Sequence, residues 1–416
     1  MSMSTTRRNF LAAGAAAAAA PFVRADDKSG TKHPILGEGE HQYEAIHDWG
    51  DLPPNIKYGN THSVIEDSQG HIYIHHTVHA SSQSPDAVVV FDNKGKFVRS
   101  FGAMFRGGAH GMHLSKEGKT EYLYFCDEKH GIVTKRTLKG EEVWTMGYPQ
   151  DSPIYQKGPG STGPGGAAGL NYRPTNFAIA PNLDFWVGDG YGSYYMFHYS
   201  QASSTAYPKL VKTFGGPPAG QAQGGGRGPG AAAGRGPGGG GGRGAEKGGP
   251  TPQAAGGAGR GPANPPPPGQ PGVPRDVPIE STNNPHGNMV DLRDPANPIL
   301  LIADRGNNRI VRYKLDDTPI DVVAGTKSPC HFHSYKDIIV VPDLQARVTL
   351  LDKNNKIILH LGEPRMPNPP RTTENRADFI PGQFVQPHGA IFDRAGNIFV
   401  TEWVEIGRVT KLRKIA

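Results

Sequence analysis

Histidine is the residue type that stands out for chemistry. The chain carries 17 histidines in 416 residues, and five positions recur at one phase of a repeated phrase: His62, His110, His286, His331 or His333, and His388. Two of them sit in identical turns, Pro285-His286-Gly287 and Pro387-His388-Gly389. Three neutral imidazoles converging on one point form a catalytic zinc site with an open fourth position, which polarises an oxygen or acidifies a bound hydroxyl. His110, His286 and His388 are the candidate metal ligands. For one such histidine alone, the turn chemistry of a repeated fold would be explanation enough. His75, His76 and His79 form a separate cluster, lining the same mouth or decorating a loop. Two further phrases share a phase with each other, Gly188-Asp189-Gly190-Tyr191-Gly192 and Ala303-Asp304-Arg305-Gly306-Asn307. A tyrosine beside a cation serves as a general base once its pKa is lowered, and an arginine grips a carboxylate in a bidentate fork. Tyr191 and Arg305 are the candidates for those roles. Turn chemistry accounts for the Asp and Gly residues around them, but less well for these two.

Residues so far apart in sequence need a fold that gathers equivalent positions around one axis. The chain repeats a single unit: a turn with histidine, an alternating apolar strand, an Asp with a Gly turn, a second strand, and a charged strand ending in Gly. The units begin at His62, His110, Arg173, Pro285, Cys330 and Pro387, and the third carries Asn176 where the others carry histidine. Each supplies three or four short strands of period two. Four-stranded units of this size predict an all-β, six-bladed β-propeller, with the innermost strand of each blade lining a central channel. The last unit stops after three strands, and the spare strand in the segment 43–50 is predicted to pair into it and close the ring, leaving no open edge.

Two segments fall outside the repeat. Residues 1–25 carry Arg7-Arg8, an Ala-rich weakly apolar stretch and a small-residue cleavage site at Val23-Arg24-Ala25, the three parts of a twin-arginine signal peptide. It predicts recognition by the twin-arginine export machinery and a periplasmic or extracellular protein. Residues 216–274 hold 23 glycines, 13 prolines and no aromatic residue. Such a composition buries too little apolar area to offset ordering entropy, so it predicts a disordered Gly/Pro-rich insert between blades three and four. The rest, 26–416, reads as a single propeller domain.

These segments also explain the net charge of +6. The signal contributes +3 and the insert +4, five basic residues less Glu246, leaving about −1 for the folded part. The basic excess therefore gives no reason to expect a nucleic-acid partner. No run approaches the roughly 20 apolar residues of a membrane span. Cys126 and Cys330 fall in blades two and five, too far apart to pair, and are expected to be free buried thiols.

The phrases Asp304-Arg305-Gly306-Asn307-Asn308-Arg309-Ile310 and Asp393-Arg394-Ala395-Gly396-Asn397-Ile398-Phe399-Val400 resemble NHL repeats. Among NHL propellers, the folded chain from about Tyr43 to Lys414 resembles the peptidyl-α-hydroxyglycine α-amidating lyases. The resemblance implies zinc on His110, His286 and His388, a catalytic Tyr191, and Arg305 as one active-site arginine. It implies a reaction in which the C–N bond of a carbinolamide breaks to give an amide and glyoxylate, from a small-molecule or peptide substrate with a carboxylate. This chain departs from the family at three places. The second active-site arginine is replaced in His75-His76, a cysteine is replaced by Gly192, and the acidic residue that helps hold a structural calcium is Gly389. His76 is then the candidate to restore the missing charge, when protonated, and calcium stays open. The competing readings are a non-catalytic NHL propeller that binds a protein or glycan, and, behind it, a calcium-dependent lactonase-like propeller, which needs a carboxylate-rich channel.

Overall fold

The computed structural model describes residues 33–155, 172–218 and 277–415. The twin-arginine segment lies outside these residues, as does the Gly/Pro-rich insert apart from its first three. Among the described residues the strands form five four-stranded antiparallel sheets and one of five strands, the six blades read from the repeat. Blade one illustrates how sequence becomes sheet. Its inner strand Thr61–Glu66 pairs with Ile72–His76, then Val88–Phe91, then Phe97–Phe101. Val88–Phe91 is apolar at every position and wholly buried, because blades cover both of its faces. The outer strand is only partly buried, as its alternation requires.

The ring closes as the spare strand predicts. Tyr43–Ile46 pairs antiparallel with Arg408–Lys414, with Tyr43 opposite Lys414 and Ala45 opposite Leu412. A further short strand, Ile35–Leu36, adds to its far side. Six apolar clusters fill the spaces between neighbouring blades, one for each boundary. The closing strand feeds one of them, where Tyr43, Ala45 and Leu36 pack with Val340, Leu350 and Leu412. Each blade therefore buries both faces, with no core running through the axis.

The axis is instead lined by polar groups. At one layer of the inner strands a hydrogen bond crosses each of the six boundaries. His388 Nδ1 donates to His62 O (2.9 Å) and Ser63 Oγ to His110 O (2.7 Å). His110 Nδ1 donates to Thr175 O (2.7 Å) and Thr175 Oγ1 to Pro285 O (2.8 Å). His286 Nδ1 donates to Cys330 O (2.9 Å), and His331 Nδ1 to Ala390 O (3.2 Å). This circle sets where the histidines stand.

Candidate metal centre

Four of the repeated histidines come together. The ring centroids of His110 and His286 lie 4.7 Å apart, as do those of His286 and His388, and His110 and His388 are 4.9 Å apart. His62 joins them, 4.5 Å from His388 and 4.9 Å from His110. All four are buried. Burial, helped by the neighbouring imidazoles or Arg305, holds each ring well below the usual histidine range, His110 at about 3. Neutral imidazole is the form that ligates a metal.

In His110, His286 and His388 the Nδ1 proton is committed to a neighbouring blade's carbonyl, so Nε2 carries the lone pair, facing the Tyr191 hydroxyl in His110 and His286 and without a partner in His388. A backbone acceptor on the far nitrogen is the usual way a ligating histidine is oriented. His388 Nε2 and His62 Nδ1 are buried with no hydrogen-bond partner, so the residues present fit a divalent cation. Ligand atoms of His62, His110 and His388 lie within 4.8 Å of one another, as do those of His286, Cys330 and His388; the two groups share His388, and His110 and His286 fall in different ones. These buried groups could hold a metal. Neither group contains a carboxylate, the hard donor that calcium requires. At Gly389 an added Cβ would stand 2.6 Å from His62 O, so no acidic side chain fits there without moving backbone.

Tyr191 reaches the same place. Its hydroxyl is 3.2 Å from His110 Nε2 and 3.0 Å from His286 Nε2, and Arg305 Nη2 donates to it at 3.1 Å. Burial raises the Tyr191 hydroxyl above its usual pKa, and the Arg305 guanidinium pulls against that rise. The turn that presents Tyr191 is tied down by Asp189, which accepts from the backbone N–H groups of Arg173 and Ser193 (both 2.7 Å) and from Tyr155 Oη (2.5 Å). The equivalent acids end the second strands of blades four and five, where Asp304 pairs with Arg309 at 2.7 Å and Asp343 with Arg347 at 2.9 Å. These carboxylates serve the blades rather than the channel.

His76 stands apart from this group. Its Nδ1 accepts from Val78 N–H at 3.1 Å, and its ring lies 4.9 Å from that of Tyr58. Burial holds its imidazole at about 3, so the positive charge expected of it is absent near neutrality. His75 is equally buried, against Phe105 and Phe125. A second cation stands beside Tyr191, on a residue the sequence had not singled out. Arg173 lies over the Tyr191 ring at 5.2 Å, the same distance as Arg305. It is paired with Glu128 and lines a cavity of about 730 Å³ with Lys129, His130 and Tyr172. Cys330 is the other missed neighbour, its sulfur 3.9 Å from Arg305 Nη1. Both cysteines are free and buried, as expected.

A six-bladed β-propeller with a histidine-lined channel is the class that fold and site define. No family model matches the chain, and no curated protein does either. Among solved structures it is similar in fold to a streptogramin B lyase, at 10% identity and TM-score 0.48, over 91% of this chain and 100% of that one. A gluconolactonase from Xanthomonas campestris, XC5397, gives 9% identity and TM-score 0.46 over 94% of each chain. A putative gluconolactonase gives 10% and 0.44, over 89% of this chain and 96% of that one. Function is therefore read from the channel residues and not from these likenesses.

Proposed function

We propose that the protein is an exported, metal-dependent lyase that splits the C–N bond of an α-hydroxyglycine-type carbinolamide into an amide and glyoxylate. One observation carries the reading: the Tyr191 hydroxyl sits within hydrogen-bond reach of two histidine Nε2 atoms and the Arg305 guanidinium. His110, His286 and His388 would hold a divalent ion, zinc by the resemblance, which when bound would supply Lewis acidity to the substrate hydroxyl.

The side chains supply the rest. Arg305 and Arg173 flank the Tyr191 ring and orient the substrate carboxylate, for which Glu128 is the resident competitor. Tyr191, as phenolate, takes the proton of the carbinol hydroxyl. The carbon–oxygen double bond of glyoxylate forms as the C–N bond breaks, and the departing amide nitrogen receives that proton. Arg305 opposes burial, which still leaves the Tyr191 hydroxyl above its usual range in the metal-free chain; the phenolate would be favoured further beside a divalent cation. The inner-strand layer holds the imidazoles neutral and oriented throughout.

The test is glyoxylate release from an N-acyl-α-hydroxyglycine by the metal-loaded protein. Tyr191→Phe is expected to lower kcat by about 10²–10⁴-fold, the range of general acid–base contributions, without loss of bound metal. A loaded wild type that releases no glyoxylate would sink the reaction and leave a binding propeller.

A further inference from the structure

We propose that His62 is a fourth metal ligand, so that the channel holds its ion among four imidazoles from blades one, two, four and six. The inference rests on the metal-centre reading above and goes beyond it in the ligand set and the kind of ion. The repeat marks His62 only as one of five histidines in phase. The fold gives it a distinct position, its ring forming a near-equilateral triangle with those of His388 and His110, at 4.5 and 4.9 Å, and only 5% of the residue exposed. Its Nδ1 is buried without a partner, and so is His388 Nε2. One orphaned buried polar atom costs about 1–3 kcal/mol, and although other buried histidines, His75 and His331 among them, also have one, among the described residues only those of His62 and His388 belong to converging groups of ligand atoms. Two within one cluster of neutral imidazoles point to a single absent partner that accepts lone pairs, which is a cation.

The structural work at this layer does not need the His62 side chain. Its backbone carbonyl takes the hydrogen bond from His388, and the neighbouring Ser63 Oγ makes the link to blade two. His331, the fifth histidine in phase, also donates Nδ1 to a neighbouring carbonyl, Ala390 O, and leaves Nε2 buried without a partner, but it belongs to neither group of converging ligand atoms. Cys330 competes on position, but its thiol donates to Ser328 O at 3.4 Å.

Four protein ligands would close a tetrahedral zinc site, and closed sites are structural. A centre that both uses His62 and admits a substrate therefore takes a divalent first-row ion of coordination number five or six, such as ferrous iron, manganese, cobalt or nickel. The cage contains no anionic side chain, so the full charge of the ion faces an incoming carboxylate.

The full chain, purified natively and loaded with cobalt(II), reports coordination in two ways: the intensity of its d–d absorption, and the number of imidazoles seen by X-ray absorption. The expected result is weak five- or six-coordinate bands and four imidazoles. His62→Gln, which keeps a polar side chain in place, is expected to lose one imidazole and about tenfold or more in metal affinity, with the metal-free melting temperature unchanged. His79→Gln is expected to alter neither. Intense tetrahedral bands with three imidazoles, a sulfur at about 2.3 Å, or undiminished affinity in His62→Gln would overturn the role of His62 and leave a three-histidine or thiolate centre standing. A wild type that takes up no ion would overturn both proposals.

Discussion

Between His110 Nδ1 and the Thr175 carbonyl there is room for a hydrogen bond only because residue 111 has no Cβ. An added Cβ would stand 2.3 Å from that same oxygen. The arrangement repeats at Gly287, 2.4 Å from Cys330 O, and at Gly389, 2.6 Å from His62 O, each the acceptor of the preceding imidazole. The glycine of the His-Gly pair is thus what orients the ligand. Gly287→Ala is expected to shift His286, weakening metal binding about 10–100-fold and costing about 1–3 kcal/mol of stability. Titration with a competing chelator, together with denaturant unfolding, measures the two effects. At the substrate side, Arg173→Gln is expected to raise KM for a carboxylate substrate more than it lowers kcat, and unchanged kinetics would remove Arg173 from the site. That His110, His286, His388, Tyr191 and Arg305 would meet in the channel was legible in the sequence, because repeat phase maps onto the channel. Arg173 was not, because it reaches Tyr191 across a turn held by Asp189, a contact that no repeat phase encodes. His76 misled for a related reason. It ends a second strand, where other blades place a structural acid such as Asp304 or Glu402, and that position is buried within the blades.

The inner strands act as one element although they come from six parts of the chain. Their six cross-boundary hydrogen bonds place histidines from blades one, two, four and six on one level, while blade three contributes Thr175 and blade five the Cys330 carbonyl. The strand that closes the ring is more remote but feeds the same architecture, because Tyr43–Ile46 completes blade six beside the strands that follow His388. Leu412→Ala, at the buried register position opposite Ala45, is expected to cost about 2–5 kcal/mol, read from denaturant midpoints. Removing residues 33–47 exposes the edge of Arg408–Lys414 and is expected to produce concentration-dependent association. The repeat and the spare strand made this closure legible from sequence. The hydrogen-bond circle was not, because it depends on which backbone carbonyl faces which imidazole.

For the whole molecule, burial of so many imidazoles makes stability depend on pH. His75, His76, His110 and His333 are held at about 3, and His113 and His331 at about 4, against a reference of 6.5. Between these values the unfolded chain binds protons that the native chain does not, so stability is fully present above pH 6.5 and falls with decreasing pH. The slope is about 1.4 kcal/mol per pH unit for each such histidine. Metal-free protein is therefore expected to melt at progressively lower temperature from pH 6.5 to 4, and a flat profile would contradict the buried neutral state. Metal affinity of the folded chain should hold across this range, because its ligands stay neutral, and should fall only toward pH 3, where protons begin to compete for His110. The most direct test of the account is the metal content of the natively purified, loaded chain, by elemental analysis, beside His110→Ala, His286→Ala and His388→Ala. The account predicts about one divalent ion per chain in the wild type and loss of it in each variant. A wild type that stays metal-free, or variants that keep the full complement, would contradict it.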